Sequence, residues 1–350
     1  MRVLLRLCGV GRRAVTPQMP AGNIHAVLLA AALNVGAVAS GAQPAAAADY
    51  PQRPLRVIVA NVPASGVDVL TRIVTARLGE ALGQTMVVDN RIDSRPGAGT
   101  AYGMELGRDA TPDGYTLNSA ATASLAITPV IYRRQPQTVL DEYEFISLFA
   151  ITPNLLVVTP ALPVQNVAGL VTWSRAQAPL RMASGGSGSQ NHLAGVLLYT
   201  MGQFSAQHAP YRGSTAPVAA VMSGESQWTL TPAPSVWPLV KAGRLRALAH
   251  SLPQRTPLLG ELPAIAETIA GYDYSGWFGL IAPRGTPKAR VDQLRTSLHA
   301  VLARADVREA YAAQASVVAA GTAEDFRRLV IKEQARYGEV VKAAGLKPDQ

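Results

Sequence analysis

The chain has 350 residues, of which 48% are hydrophobic and only 16% charged. That length suggests two domains, and that much apolar material excludes a disordered chain. The formal net charge is +9, yet the basic residues are scattered without interleaved aromatics, which argues against nucleic-acid binding.

The first predicted element is a leader. Residues 1–48 hold Arg2, Arg6, Arg12 and Arg13, no acidic residue, an apolar run over 26–39, and four alanines at 45–48. A basic start, an apolar middle and small residues before Asp49 read as a cleaved secretory signal, with the periplasm as destination. Arg12-Arg13 leaves twin-arginine export as an alternative to the general route. The apolar run is shorter than the roughly 18 residues of a spanning helix, and no other stretch approaches that length. Removal of this segment takes away four arginines and no acid, which lowers the net charge to +5. Such a mild positive field suits anionic solutes. The single cysteine, Cys8, lies in the leader, so the exported part is expected to rely on its core without a disulfide.

Beyond the leader, short β-branched runs alternate with helical patterns. Residues 55–60 read as a buried strand bounded by Pro54 and Asn61. The turn 63–66 leads into a helix over 67–82, where Val67, Leu70, Val74, Leu78 and Ala81 share one face. Strands follow at 85–89 and 115–119, separated by a Gly-rich loop over 95–99 and a short helix reaching Ala110. The alternation continues with strands at 155–159, 180–183, 207–211, 228–231 and 245–250. Helices at 166–177, 191–201 and 215–222 lie among them. After a strand at 277–281 the chain turns helical over 287–303, 305–313 and 323–344. The pattern predicts an α/β fold with mostly parallel sheets covered by helices. A return of the chain near Gly276 would make residues 49–150 plus 276–350 one lobe and residues 151–275 the other, with a cleft between them.

Three loops share one construction: residues 63–66, 184–189 and 212–214 are small and polar, follow a strand and precede a helix. Glycine lets backbone N–H groups approach a ligand, and helix N-termini carry partial positive charge with unpaired donors. Such ends bind carboxylates, and in open α/β sheets they sit at the crevice beyond the strand ends. Ala64, Ser65 and Gly66 of the first loop are therefore candidate ligand residues. So are Ser184, Gly186 and Ser187 of the second, and Arg212, Gly213 and Ser214 of the third. Asp68 either meets a ligand amine or caps its helix. Thr122 and Ser124 either face the cleft or open a helix. His192 bonds either ligand or loop, and Tyr211 lines the second lobe or the surface.

From Tyr50 to about residue 347 the chain resembles the Bug-type receptors, the periplasmic solute-binding components of tripartite tricarboxylate transporters. The carrying segments include Tyr50-Pro-Gln-Arg-Pro-Leu, Pro63-Ala-Ser-Gly-Val-Asp68 with Arg72, Pro96-Gly-Ala-Gly99 and Thr111-Pro-Asp-Gly-Tyr. Further along are Ser184-Gly-Gly-Ser-Gly with His192-Leu-Ala, Pro210-Tyr-Arg-Gly213, Lys241-Ala-Gly-Arg-Leu-Arg and Trp277-Phe-Gly-Leu-Ile-Ala-Pro283. The resemblance implies a two-lobed Venus-flytrap fold, a small carboxylated solute in the cleft, and membrane subunits of such a transporter as partners. A monomer without cofactor or metal is expected. The chain departs from the family by inserting residues 92–95 between Asn90-Arg91 and Pro96. It also has Ala64-Ser65 where glycines are usual, and Gly224-Glu-Ser-Gln227 leading to Thr231 where acids are usual.

Other readings fare worse. The glycines at 97, 99 and 103 are spaced one residue too long for a dinucleotide loop. Ser187 is not in a nucleophile elbow, since position 189 is serine. His192, His208, His250 and His299 do not stand at metal-ligand spacing. No nucleophile–base pair is visible, so a hydrolase is not expected. A receptor that presents solute to a sensor protein is the alternative to transport.

Overall fold

The computed structural model describes residues 50–92, 100–131, 137–177, 179–343 and 345. The expected signal segment, the loop over 95–99 and most of the insertion lie outside them. The strand β1 (Leu55–Val59) is apolar on both faces except at Arg56 and is buried as the central part of a sheet. It feeds α1 (Gly66–Leu82), which Ser65 caps and which Gly83 ends in the left-handed conformation at φ 68°. Next come β2 (Met86–Asn90), α2 (Ala101–Arg108) and β3 (Thr116–Ala121). A π-helical turn over 123–127 runs into the short α3 (Thr128–Ile131), before the ten-residue β4 (Tyr143–Thr152).

The middle of the chain holds β5 (Asn154–Val158), α4 (Val167–Ala176), β6 (Leu180–Ser184), α5 (Gln190–Met201) and β7 (Ala206–Pro210). It continues with α6 (Ala216–Ser223), β8 (Trp228–Pro232), α7 (Ala233–Lys241) and β9 (Arg246–His250). The last part is β10 (Gly276–Pro283), α8 (Lys288–Ala303), α9 (Ala305–Ala313), β11 (Val317–Val318) and α10 (Ala323–Ala343).

Eleven strands fall into two sheets among the described residues, ordered β11-β4-β10-β3-β1-β2 and β7-β6-β8-β5-β9. The parallel arrangement read from the alternation appears in β2-β1-β3 and in β7-β6-β8. The strands at the crossings, β4, β10 and β5, add antiparallel pairs. The chain passes between the sheets at Pro153 and again just before Gly276. The two passages are tied together: Asn154 Nδ2 donates to the Tyr274 carbonyl at 2.6 Å, and Ser251 Oγ donates to the same oxygen at 2.7 Å. A helix on each sheet face buries its apolar stripe: α1, α8 and α9 share one cluster around Leu70, Leu294 and Tyr311. On the second sheet α6 and α7 bury Val218, Val221 and Val236 against Leu155 and Val157. The largest cluster runs through both sheets, with Phe326 of α10 set edge-on to Phe145 and Trp277.

Two elements escape a reading by pattern. β4 is buried along nearly its whole length, so it shows no alternation, and Glu144 and Ser147 interrupt its apolar run. α7 contains Pro234 and Pro238, which read as breakers. Pro234 sits in the first turn, where no backbone N–H is needed.

Candidate functional site

The loops after β1, β6, β7 and β8 meet between the two sheets. A Cβ on Gly213 would lie 3.0 Å from Val62 Cγ1, and one on Gly66 would lie 2.9 Å from Pro232 Cβ. Ser214 Oγ donates to Asn61 Oδ1 at 3.1 Å, a hydrogen bond between the first and third loops. A Cβ on Gly185 would come within 2.8 Å of the Gly213 carbonyl, and one on Gly188 within 2.6 Å of Ile131 Cδ1. Small residues are what allow four loops to approach so closely.

Each loop delivers a helix N-terminus. Ser65 Oγ accepts from the Asp68 N–H, and Ser189 Oγ accepts from the His192 N–H. These caps satisfy one donor each. Among the described residues the N–H groups of Gly66, Val67, Gln190 and Asn191 have no protein acceptor. α6 adds a third N-terminus, beginning after Gly213 at φ 73° and Ser214. Three positive helix ends thus face one place, and no carboxylate among the described residues is free to neutralise them.

The candidate residues divide by what already holds them. Asp68 is buried, and its carboxylate accepts from the Ala64 N–H at 2.9 Å, from Asn90 Nδ2 at 3.0 Å and from Arg72 Nε at 3.0 Å. It fixes the loop in which Ala64 takes the left-handed φ of 61°. Thr122 Oγ1 accepts from the Trp277 N–H at 2.9 Å, and Ser124 Oγ is paired with the Ala121 N–H and carbonyl. Tyr211 bonds Glu225 and Ser226, turning its hydroxyl along the second sheet's edge. Ser184 Oγ lies 2.6 Å from His208 Nε2 and 3.2 Å from the Gly186 N–H. His192 Nδ1 accepts from the Gly188 N–H at 3.0 Å. Gly186 has φ 115°, Ser187 and Arg212 are exposed, and Arg212 has no ion-pair partner among the described residues.

Four polar side chains at these loops are not among the candidate ligand residues read from sequence, although Thr231 stands where an acid is usual in the family. Gln190 Nε2, Asn191 Nδ2, Thr231 Oγ1 and Ser235 Oγ are shielded from solvent without a hydrogen-bond partner among the described residues. Ser235 Oγ lies 3.6 Å from where a Gly66 Cβ would stand, and Gln190 Nε2 lies 3.0 Å from the corresponding point on Gly276. A buried polar group without a partner is uncommon and asks for one. The sequence signal was present only as small polar residues directly after a strand.

A separate groove of about 900 Å³ lies on the outside of the first sheet between α8 and α10. Its cations are committed: Arg295 to Asp292, Arg327 to Asp141 and Arg328 to Glu324. It lacks the unpaired donors that mark the loop cluster.

Helix ends gathered between two linked α/β sheets can hold an anion, and sequence comparison identifies the family. Residues 70–346 match the family model of the tripartite tricarboxylate transporter family receptor, TctC. The chain belongs to the TctC receptor family. BugT of Bordetella pertussis (strain Tohama I) is 31% identical over 316 residues, which is 89% of this chain and 95% of BugT. A UPF0065 protein from the tcbD-tcbE intergenic region of Pseudomonas sp. (strain P51) is 31% identical over 304 residues, covering 86% of this chain and 89% of that one. Among solved structures, R. palustris Rpa4515 with adipate matches at TM-score 0.81 and 32% identity, over 86% of this chain and all of that chain. The periplasmic binding protein BugD matches at TM-score 0.77 and 26% identity, over 85% and 99%. This TctC receptor therefore has the two-lobed periplasmic-binding-protein fold. No described helix is long and apolar enough to cross a membrane.

The partners of Asp68 give a first test. Asp68→Ala in this TctC receptor is expected to lower stability by about 2 kcal/mol, since it strips an acceptor from three donors. Solute affinity should fall as well, because the carboxylate fixes the loop that carries the candidate solute residues Ala64 to Gly66. Chemical denaturation and calorimetric titration of the same sample separate the two effects.

Proposed function

We propose that this chain is a periplasmic receptor that captures a small dicarboxylate and delivers it to the membrane subunits of a tripartite tricarboxylate transporter. The carrying observation is the convergence of the α1, α5 and α6 N-termini between the two sheets of a TctC receptor, with unpaired N–H donors on α1 and α5. Donors of this kind hold an anion without a buried cation. The R. palustris relative with adipate, at 32% identity, supports a carboxylate as the solute. Residues 49–150 with 276–350 form one lobe in this reading and 151–275 the other, and closure brings Ala64 to Gly66, Ser184 to Ser187 and Arg212 to Ser214 onto the solute. Residues 1–48 act as a signal removed near Asp49, and the exported protein works as a monomer.

The reading is of a binder without catalysis. The structure brings together two serine–histidine pairs that sequence spacing did not show, Ser184 with His208 and Ser147 with His299. Both serines are fully buried, and among the described residues no carboxylate hydrogen-bonds either imidazole. An activated nucleophile needs an oriented base, and neither imidazole has, among the described residues, the carboxylate partner that would orient it.

Titration calorimetry of residues 49–350 with adipate, a tricarboxylate and an aromatic monocarboxylate tests the proposal. At least one is expected to bind with a Kd of micromolar order or below. Affinity should drop as the pH falls below the solute's own pKa values, while moderate salt weakens it only partly, because buried contacts are screened less. Absence of binding by all three, with no carboxylate retained in native mass spectra of freshly purified protein, would refute the reading.

A further inference from the structure

Beneath the Gly-rich loop over 184–189 lie two imidazoles. His192, in the first turn of α5, and His208, in the middle of β7, stack with ring centroids 3.9 Å apart and planes 20° from parallel. Parallel pairing of β6 with β7 sets Met182 opposite His208, so the ring stands beside the strand that leads into the loop. The pair grips both ends of that loop. His208 Nε2 contacts Ser184 Oγ at 2.6 Å, and this hydroxyl in turn reaches both the N–H and the carbonyl of Gly186. His192 Nδ1 accepts from the Gly188 N–H at 3.0 Å, and Gly188, at φ 74°, presses toward Ile131 at the end of α3. An acceptor at Nδ1 requires the neutral ring with its proton on Nε2.

We propose that His192 and His208 act as a neutral stacked pair that positions the Gly-rich loop for solute, and that a proton on His192 releases the loop and weakens capture. This rests on the reading of the cleft as a solute site and assigns both rings as positioning residues. Protonated His192 would turn Nδ1–H toward the Gly188 N–H, donor against donor, and the bond would be lost. No anion compensates. Of the charged or titratable groups on the packed elements, which include Arg181 of β6, His208 of β7, Tyr272, whose hydroxyl bonds the Ala194 carbonyl, and Glu333, Arg336 and Tyr337 of α10, only His208 acts on His192, and it opposes the charge. Burial, and secondarily His208, hold His192 down at about 4, and burial lowers His208 as well. Ser184 can still accept from a protonated His208, so His192 is the sensitive member.

Amide hydrogen exchange at Gly188, corrected for the intrinsic pH dependence, tests the device without any solute. Protection in the parent is expected to fall at least tenfold between pH 7 and pH 4. His192→Asn places an amide oxygen where Nδ1 stands and cannot titrate, so its protection should stay level. His192→Ala should lack protection at both pH values. Adipate affinity adds a second readout: protonation of adipate weakens binding to parent and His192→Asn alike, and the parent should lose about twofold more at pH 4. Unchanged Gly188 protection in the parent across that range would overturn the proposal, as would parent-like protection in His192→Ala. Should the alanine variant fail to fold, parent against His192→Asn decides alone. A normal exchange pattern with no binding of adipate, the tricarboxylate or the aromatic monocarboxylate at any pH, and no carboxylate retained in native mass spectra, would refute the solute reading and leave the histidine grip standing.

Discussion

Gly66→Val is expected to weaken adipate binding at least 100-fold while shifting the melting temperature by only a few degrees. Gly66 is the first residue of α1 and is buried against the opposite sheet. A Cβ there would stand 2.9 Å from Pro232 Cβ and 3.6 Å from Ser235 Oγ. Both contacts belong to the β8–α7 connection, across the cleft from α1. The added side chain therefore collides only when the loops of the two sheets meet, and parting them relieves it. A 100-fold loss corresponds to about 2.7 kcal/mol, a modest demand for a backbone-side contact that cannot give. The folded state itself loses little, because valine in a helix costs only some tenths of a kcal/mol more than better helix formers. Gly338→Ala serves as the control, since a Cβ on Gly338 meets nothing within 4 Å and α10 gains helix propensity. Parent-like affinity in a folded Gly66→Val protein would show that solute binds without closure at this point.

Much of the fold was legible because each helix and strand carries its own period. The helix over 67–82 is seen as Gly66–Leu82, and the one over 305–313 is seen at those bounds. What escaped has local physics that disagrees with the final environment. β4 lies between β10 and β11 and is covered on both faces, so no period of two is written into it. α7 forms in spite of two prolines because Val236 and Ala233 bury against the second sheet. The family resemblance supplied the two-lobed arrangement that periodicity alone leaves undetermined.

The candidate loops were legible in the sequence, and the contacts they make were not. Small polar residues after a strand marked residues 63–66, 184–189 and 212–214, and all three come together. Which side chains remain free could not be read, because that depends on neighbours distant in sequence. Thr122 meets Trp277 across 155 residues, and Ser184 meets His208 across 24. The same distance hid Thr231 and Ser235, whose isolation appears only once β8 is placed beside β5 and α7 beside α1. Asn61 likewise looked like a strand terminator, and in the structure its side chain accepts from Ser214 of the opposite loop.

Stability is expected to fall by about 3 kcal/mol as the pH is lowered from 6.5 to 4, a window set by His192. Its ordinary value of 6.5 applies to the unfolded chain, and burial with the charge of His208 depresses it to about 4 in the fold. Between these two values the unfolded chain binds more protons than the native protein. The stabilising contribution is thus complete above pH 6.5 and is lost as the pH falls toward 4. A difference of about 2.5 units at 1.36 kcal/mol each gives the size of the effect. His208 and His250 are also lowered by burial and act in the same direction. Carboxylates take over at lower pH: Asp89, held down by Arg56 and Arg91 against a desolvation that works the other way, loses its contribution only as it protonates below its ordinary 3.8. The two windows therefore do not overlap much. Denaturant titrations at pH 7, 6, 5 and 4 measure the first one, and His192→Asn should flatten most of it while leaving the acid limb unchanged. A parent protein equally stable at pH 7 and pH 4.5 would mean that His192 takes up its proton as readily in the fold as in the unfolded chain, so that neither burial nor the bond from Gly188 holds it neutral.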